Sequence, residues 1–256
     1  MRLIPMFATA VALAMPALAL AATPADPAAP PGAKHIVLVH DAFVDGSGWR
    51  VVHDILIHKG YDVSVVQLAH NSLGEDETVV HERVSLQQGP VVLVGHGYGG
   101  VVISEAGARS KVKALVYVAG MVPDAGEGVN QLNASMKPAA TSIRSTRDGH
   151  LYIDPAKFNA DYADDIKTNR TDFMAASQVP VASSVFAGNI WTAAWHDRPT
   201  YGIVATEDRI LNPDLQRWMY KRAGAKVTEI KASHAVNVSQ PEAVAQVIEE
   251  AARNVH

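Results

Sequence analysis

The sequence predicts a doubly wound α/β fold, a mostly parallel sheet with a small inserted cap, and three observations carry that prediction. From Lys34 onward, short β-branched runs alternate with segments of helical periodicity. Several of these runs are apolar throughout, as strands covered on both faces must be. One long excursion, about residues 122–195, interrupts the alternation between two strands and is too long for a loop.

In chain order the strands are HIVLVH (35–40), DVSVVQL (62–68), PVVLVG (90–95), KALVYVAG (113–120), TYGIVAT (200–206) and AKVTEIK (225–231). The helices between and after them are GWRVVHDILIHKG, DETVVHERVSLQQ, YGGVVISEAGARS, NPDLQRWMYKRAG and QPEAVAQVIEEAARN. In the last, Ala243, Val244, Val247, Ile248 and Ala251 form a helical stripe suited to closing one face of a sheet. Such alternation is the mark of a doubly wound sheet. The excursion mixes helix and loop, in VPDAGEGVNQL, DPAKFNADYADDI and TDFMAASQVPVASSVF, and reads as a cap over the sheet.

The chain has 256 residues, 48% hydrophobic and 19% charged, with a formal net charge of -4. That suits a single core-forming domain over residues 34–256. The absence of a basic excess argues against nucleic acid as a partner. Cysteine is absent, which removes disulfides, thiolate nucleophiles and thiolate metal sites. Residues 1–22, MRLIPMFATAVALAMPALALAA, read as a signal peptide: Arg2, an apolar run interrupted by Pro5 and Pro16, and small residues that place cleavage near Ala21–Ala22. Residues 23–33 read as a Pro/Ala linker. The expectation is a periplasmic or secreted protein without stable membrane insertion once the signal is removed. No visible motif encodes an oligomeric state.

In open parallel sheets, ligands collect beyond the carboxyl ends of the strands. The segments there are Asp41–Gly48, His96–Tyr98, Gly120–Pro123, Asp208 and His234. Phe173, Met174, Phe186 and Trp191 of the cap are candidate substrate-binding side chains, although each could equally pack the cap onto the core. Strand, G-x-S-x-G, helix is a nucleophile elbow, whose glycines allow a strained turn that exposes the serine oxygen. VVLVGHGYGG (91–100) has the strand, the helix and the outer glycines, but Gly97 stands at the serine position. An acid and a histidine should follow in that order. ATEDRILNP supplies Asp208 after a strand, and ASHAVNVSQPEAV supplies His234 before the last helix. Each could also be an ordinary loop residue.

Together these segments resemble the α/β-hydrolase family, in particular small secreted bacterial esterase-like members with openings similar to VLVHGAFADGSSW, elbows GHSYGG and endings GSHAVYVSQP. The similarity runs from about residue 34 to 253 and includes the cap phrase MAASQVPVASSVF. By resemblance, His234 corresponds to the catalytic base and Asp208 to the acid that orients it. The resemblance gives the oxyanion donors as Ala42 or Phe43, with Tyr98, and the nucleophile position as Gly97.

Two departures follow. Gly97 has no hydroxyl, and neither Ser47 in DGSGW nor Ser104 replaces it; Ser104 lies about 10 Å further along the helix axis. Asp41 stands where the family's HGAF has glycine, and its carboxylate either points at the oxyanion site and opposes catalysis or points away. Three readings result. His234 and Asp208 activate water toward a small ester or carbonyl compound, or abstract another proton. Or the chain is a secreted pseudoenzyme that binds a small molecule. Or Gly97 is a serine-to-glycine change in an ordinary serine carboxylesterase. His40, Asp41, His96 and His234 are ligand-type residues, but no spacing motif supports a metal. No cofactor is expected: G-H-G-Y-G-G is not the dinucleotide pattern G-x-G-x-x-G.

Overall fold

A computed structural model of the chain describes residues 30–255. Residues 1–22, read above as a signal peptide, lie outside the described residues, as does most of the segment read as a linker. The described end of that linker is docked: Ala33 is buried, and its N–H donates to the carbonyl of Ala252 at 2.9 Å.

The first half of the chain winds as β1 (His35–Val39), α1 (Arg50–His58), β2 (Asp62–Val66), α2 (Leu73–Ser85), β3 (Val91–His96), α3 (Gly99–Ala106) and β4 (Val112–Val118). The cap follows with α4 (Val129–Ser135), β5 (Ile143–Ser145), β6 (His150–Ile153), α5 (Pro155–Tyr162), α6 (Thr168–Ala176), β7 (Val181–Ala182) and α7 (Ser183–Ala187). The chain re-enters the sheet with β8 (Thr200–Ala205), α8 (Pro213–Arg222), β9 (Lys226–Ile230), α9 (Val236–Ser239) and α10 (Pro241–Arg253). Six parallel strands run in the order β2-β1-β3-β4-β8-β9. All six expected strands are therefore present in one sheet, and its helices lie on both faces.

Strand periodicity sorts the core into two layers. In β1, Ile36 and Leu38 point to the face covered by α1 and α10, while Val37 and Val39 point to the face beneath α2, α3, α8 and the cap. The α10 stripe is buried as its spacing requires, at Val244, Val247, Ile248 and Ala251. Helix starts carry local signals. Ser72 caps α2 by accepting from the Glu75 N–H at 3.2 Å, and Asn212 caps α8 ahead of Pro213.

The cap contains a three-stranded antiparallel sheet, β5-β6-β7, that the sequence does not announce. Its strands have only two to four residues, too short for an alternating pattern to register. An isolated bridge between Phe43 and Val179 ties the cap to the loop after β1.

Candidate active site

Position 97 sits at the tip of the turn between β3 and α3, with φ +53°, the left-handed conformation of an elbow. Close approach explains the flanking glycines: a Cβ on Gly95 or Gly99 would run into backbone of α3 or of β1, respectively. The turn is held by Gly97 N–H donating to Val118 O at 3.2 Å and by Met121 N–H donating to Gly97 O at 3.0 Å. This backbone is built to present a side chain, and position 97 has none.

The carboxylate of Asp41 fills that place. A Cβ added at Gly97 would overlap Asp41 Oδ1 and its carboxyl carbon, so a side chain at 97 and Asp41 in this position exclude each other. Asp41 Oδ1 accepts from the Tyr98 backbone N–H at 2.5 Å. Asp41 Oδ2 lies 3.0 Å from His234 Nε2 and accepts from the Tyr162 hydroxyl at 3.0 Å. Asp41 thus takes the position of a side chain at 97, and the Tyr98 N–H expected to serve an oxyanion is already engaged. Of the two orientations open to Asp41, the structure has the one aimed at the oxyanion donor. The adjoining Phe43 has φ +66°, a strained conformation for a bulky residue, and its carbonyl accepts from Val179 N–H at 3.0 Å.

His234 and Asp208 meet as their positions imply. His234 Nδ1 is 2.6 Å from Asp208 Oδ2. Asp208 is fixed by three further donors: Ile210 and Leu211 N–H on Oδ1, both at 2.8 Å, and Gln216 Nε2 on Oδ2 at 2.8 Å. His234 therefore bridges two buried carboxylates, with Asp41 3% exposed and His234 1%. Burial alone lowers its proton affinity, but the charges of Asp208 and Asp41 and the hydrogen bonds to them outweigh it and raise the pKa to about 10. Asp41 is pushed up by burial, yet the charge and hydrogen bond of His234 hold it well below the ordinary carboxylate range. At neutral pH His234 is therefore an imidazolium facing the Asp41 carboxylate.

Around this core, His96 supports His234 from behind: its Nε2 is 2.8 Å from His234 O, and the rings lie 4.8 Å apart. Burial, with the nearby His234 cation, lowers its pKa to about 4, so it stays neutral. Tyr98 is locked by its hydroxyl donating to Asp76 Oδ2 at 3.0 Å, and Asp76 also accepts from the His70 N–H at 3.0 Å. His40 spans the first loop, with Nδ1 2.8 Å from Asp41 O and Nε2 accepting from Leu68 N–H at 2.9 Å.

Two clefts flank the triad. A small cleft is lined by Asp41, Gly97 and His234 together with Ala42, Phe43 and Tyr98, and Phe186 forms part of its apolar wall. A roomier cleft lies on the side of His96 and Tyr162, with Phe173 and Met174 on its cap side. The four expected cap residues are therefore divided. Phe186 faces the triad cavity, and Phe173 (70% exposed) and Met174 line the other cleft. Trp191 lines neither and is 87% exposed on the surface. Tyr162 and Gln216 touch the triad without any sequence signal that singles them out: Tyr162 sits in an irregular cap, and Gln216 is one residue of an amphipathic helix.

Residues 36–247 match the model of the alpha/beta hydrolase family. The chain is similar to "Probable hydrolase R7" of Phoma sp., at 26% identity over 71% of this chain and 79% of that protein. It is likewise similar to "Norfluorocurarine synthase 2" of Strychnos sp., at 26% identity over 87% of this chain and 96% of that protein. Among solved structures, a pyrethroid hydrolase from Sphingobium faniae JZ-2 superimposes with a TM-score of 0.75. The identity is 21%, covering 87% of this chain and 98% of that one, a likeness of fold. With the sheet, the elbow and the family match in agreement, the chain belongs to the alpha/beta hydrolase family.

Proposed function

We propose that the protein hydrolyses a small, largely apolar ester or cyclic ether, with the Asp41 carboxylate standing in for the absent serine and His234–Asp208 moving the protons. The observation that carries this reading is the placement of Asp41 Oδ2 at 3.0 Å from His234 Nε2, in the space a side chain at 97 would fill. An ionised carboxylate is a competent nucleophile when its partner is an acid rather than a base. Oδ2 bonds to the electrophilic carbon, the carbon–oxygen bond of the substrate breaks, and the leaving alkoxide oxygen takes the His234 proton. From a cyclic ether the products are a hydroxyalkyl ester of Asp41 and a neutral imidazole; from an ester they are a mixed anhydride of Asp41, the free alcohol and a neutral imidazole.

Covalent capture of Oδ2 removes one of the two charges that hold His234 protonated, so its proton affinity drops at the moment a base is required. His234, oriented by Asp208, then takes a proton from water as the water oxygen attacks the carboxyl carbon. Charge develops on Oδ1, which already accepts from the Tyr98 N–H. Collapse releases the diol from the Asp41 ester, or the carboxylic acid from the anhydride, and restores carboxylate and imidazolium. Activation of water by the His234–Asp208 pair thus belongs to the second step.

One turnover in heavy-oxygen water tests this: the peptide containing Asp41 gains one heavy oxygen, and Asp41→Asn loses turnover by roughly a thousandfold or more. Label appearing only in the product, with Asp41 unlabelled, excludes the covalent step and leaves direct attack by water.

A second reading has its own support: three donors already saturate Asp41, as they do in a site that binds rather than reacts. Saturable binding of a small carbonyl compound, without turnover of esters or epoxides, decides for a receptor or carrier. We also place the protein in the periplasm or outside the cell on the strength of its first 22 residues. A mature N-terminus near Ala22 in the exported fraction is the expected result.

A further inference from the structure

The cap does more than cover the site. Residues 161–165, at and just beyond the end of α5, reach all three loops that carry the triad. Asp161 Oδ1 accepts from Arg209 Nε at 2.9 Å, one residue from Asp208. The Tyr162 carbonyl accepts from the Ala235 N–H at 3.1 Å, one residue after His234. Asp165 Oδ1 accepts from the Ser233 hydroxyl at 2.5 Å, one residue before it. Between these, the Tyr162 hydroxyl donates directly to Asp41 Oδ2.

Tyr162 itself is fixed from several sides. Its ring is buried, stacks on Phe158 with centroids 4.9 Å apart, and meets the His234 ring edge-on at 5.0 Å. Burial and the neighbouring Asp41 charge raise its pKa far above the usual tyrosine value, so the hydroxyl is a permanent donor. A buried carboxylate has two oxygens to satisfy. The Tyr98 N–H holds Oδ1 from the core, and without Tyr162 only the imidazolium would hold Oδ2.

We propose that Tyr162 is a positioning residue through which the cap fixes the carboxylate of Asp41 against His234. The 161–165 segment acts as the brace that sets the three loops at this spacing. The site is then complete only with the cap in place, and Asp41 can occupy the elbow because a donor from the cap meets it there. The catalytic consequence of this placement rests on the reading of Asp41 and His234 as a working pair; the placement itself does not.

The test is a titration of the His234 ring by NMR in the wild type, Tyr162→Phe, Asp41→Asn and the double variant. The groups facing that ring are Asp208, Asp41, His96 and Tyr162. Phenylalanine keeps the ring packing and removes one oxygen. Loss of the hydroxyl lets the carboxylate swing from Nε2, so the affinity of His234 for its proton falls about tenfold, a fraction of the fall in Asp41→Asn. In the Asp41→Asn background the same substitution has little further effect.

An unchanged or higher midpoint in Tyr162→Phe overturns the proposal, as does an equal fall with and without Asp41. Turnover supplies a separate readout. If Asp41 is the nucleophile, Tyr162→Phe lowers kcat by about tenfold or more with KM little changed. Full hydrolysis by Asp41→Asn instead defeats the proposed reaction while leaving the titration result as it stands.

Discussion

At the scale of single residues, Asp41 and Gly97 are a matched pair. Each makes sense of the other: the carboxylate needs a position 97 without a side chain, and glycine there leaves a place in a buried turn for another group. Gly97→Ser alone is therefore expected to lower stability by about 2–4 kcal/mol, since the new side chain has to displace a buried, hydrogen-bonded carboxylate. The thermal midpoint should drop by several degrees, to be read by calorimetry. Adding Asp41→Gly relieves the overlap, recovers most of the midpoint, and returns the Tyr98 N–H to use by an oxyanion. Hydrolysis of a short-chain aryl ester should then rise in the double variant and not in Gly97→Ser alone. A single variant as stable and as active as the double one would show that Asp41 can leave at little cost. Both positions stand out in the sequence, as departures from HGAF and GHSYGG. That they occupy one space does not, because they lie in the loops after two different strands, β1 and β3.

At the scale of elements, the elbow and its neighbours are held by hydrogen bonds to other elements. Asp76, in the first turn of α2, accepts from the Tyr98 hydroxyl and from the His70 N–H. Asp76→Ala orphans two buried donors, and urea unfolding should show a loss of roughly 2–4 kcal/mol. An unaffected midpoint would mean that water or a shifted side chain satisfies them. The main-sheet strands and their five principal helices were legible because their signals are local: apolar runs for covered strands, helical periodicity between them and a stripe for α10. The cap was legible only as an interruption. Its short strands form by pairing with one another and with the loop at Phe43, contacts set by chain path rather than by periodicity. The same cause divided Phe173, Met174, Phe186 and Trp191 among two clefts and the surface.

At the scale of the whole molecule, buried histidines set how stability depends on pH. His70 and His96 have folded pKa values of about 4, lowered chiefly by burial. Between pH 4 and about 6.5 the unfolded chain binds protons that the folded chain refuses. Stability should therefore fall as pH drops through that window, by an amount on the order of 3 kcal/mol for each histidine. His234 has the opposite sign: raised to about 10, its contribution is complete below about 6.5 and is lost as pH rises toward 10. Urea midpoints should accordingly peak near pH 6.5, and a curve flat across this range would contradict the burial of these rings as neutral or paired groups. By itself the sequence determined the sheet and the elbow turn, because strand patterns and turn glycines are written over a few consecutive residues, and it singled out His234 and Asp208 through their order after that turn and the family resemblance. Only the tertiary structure decided that Asp41 fills the space a side chain at position 97 would take and that Tyr162 meets it from the cap. Those contacts join residues 57 and 121 positions apart, and the direction of a buried side chain depends on which donors the finished fold brings to it.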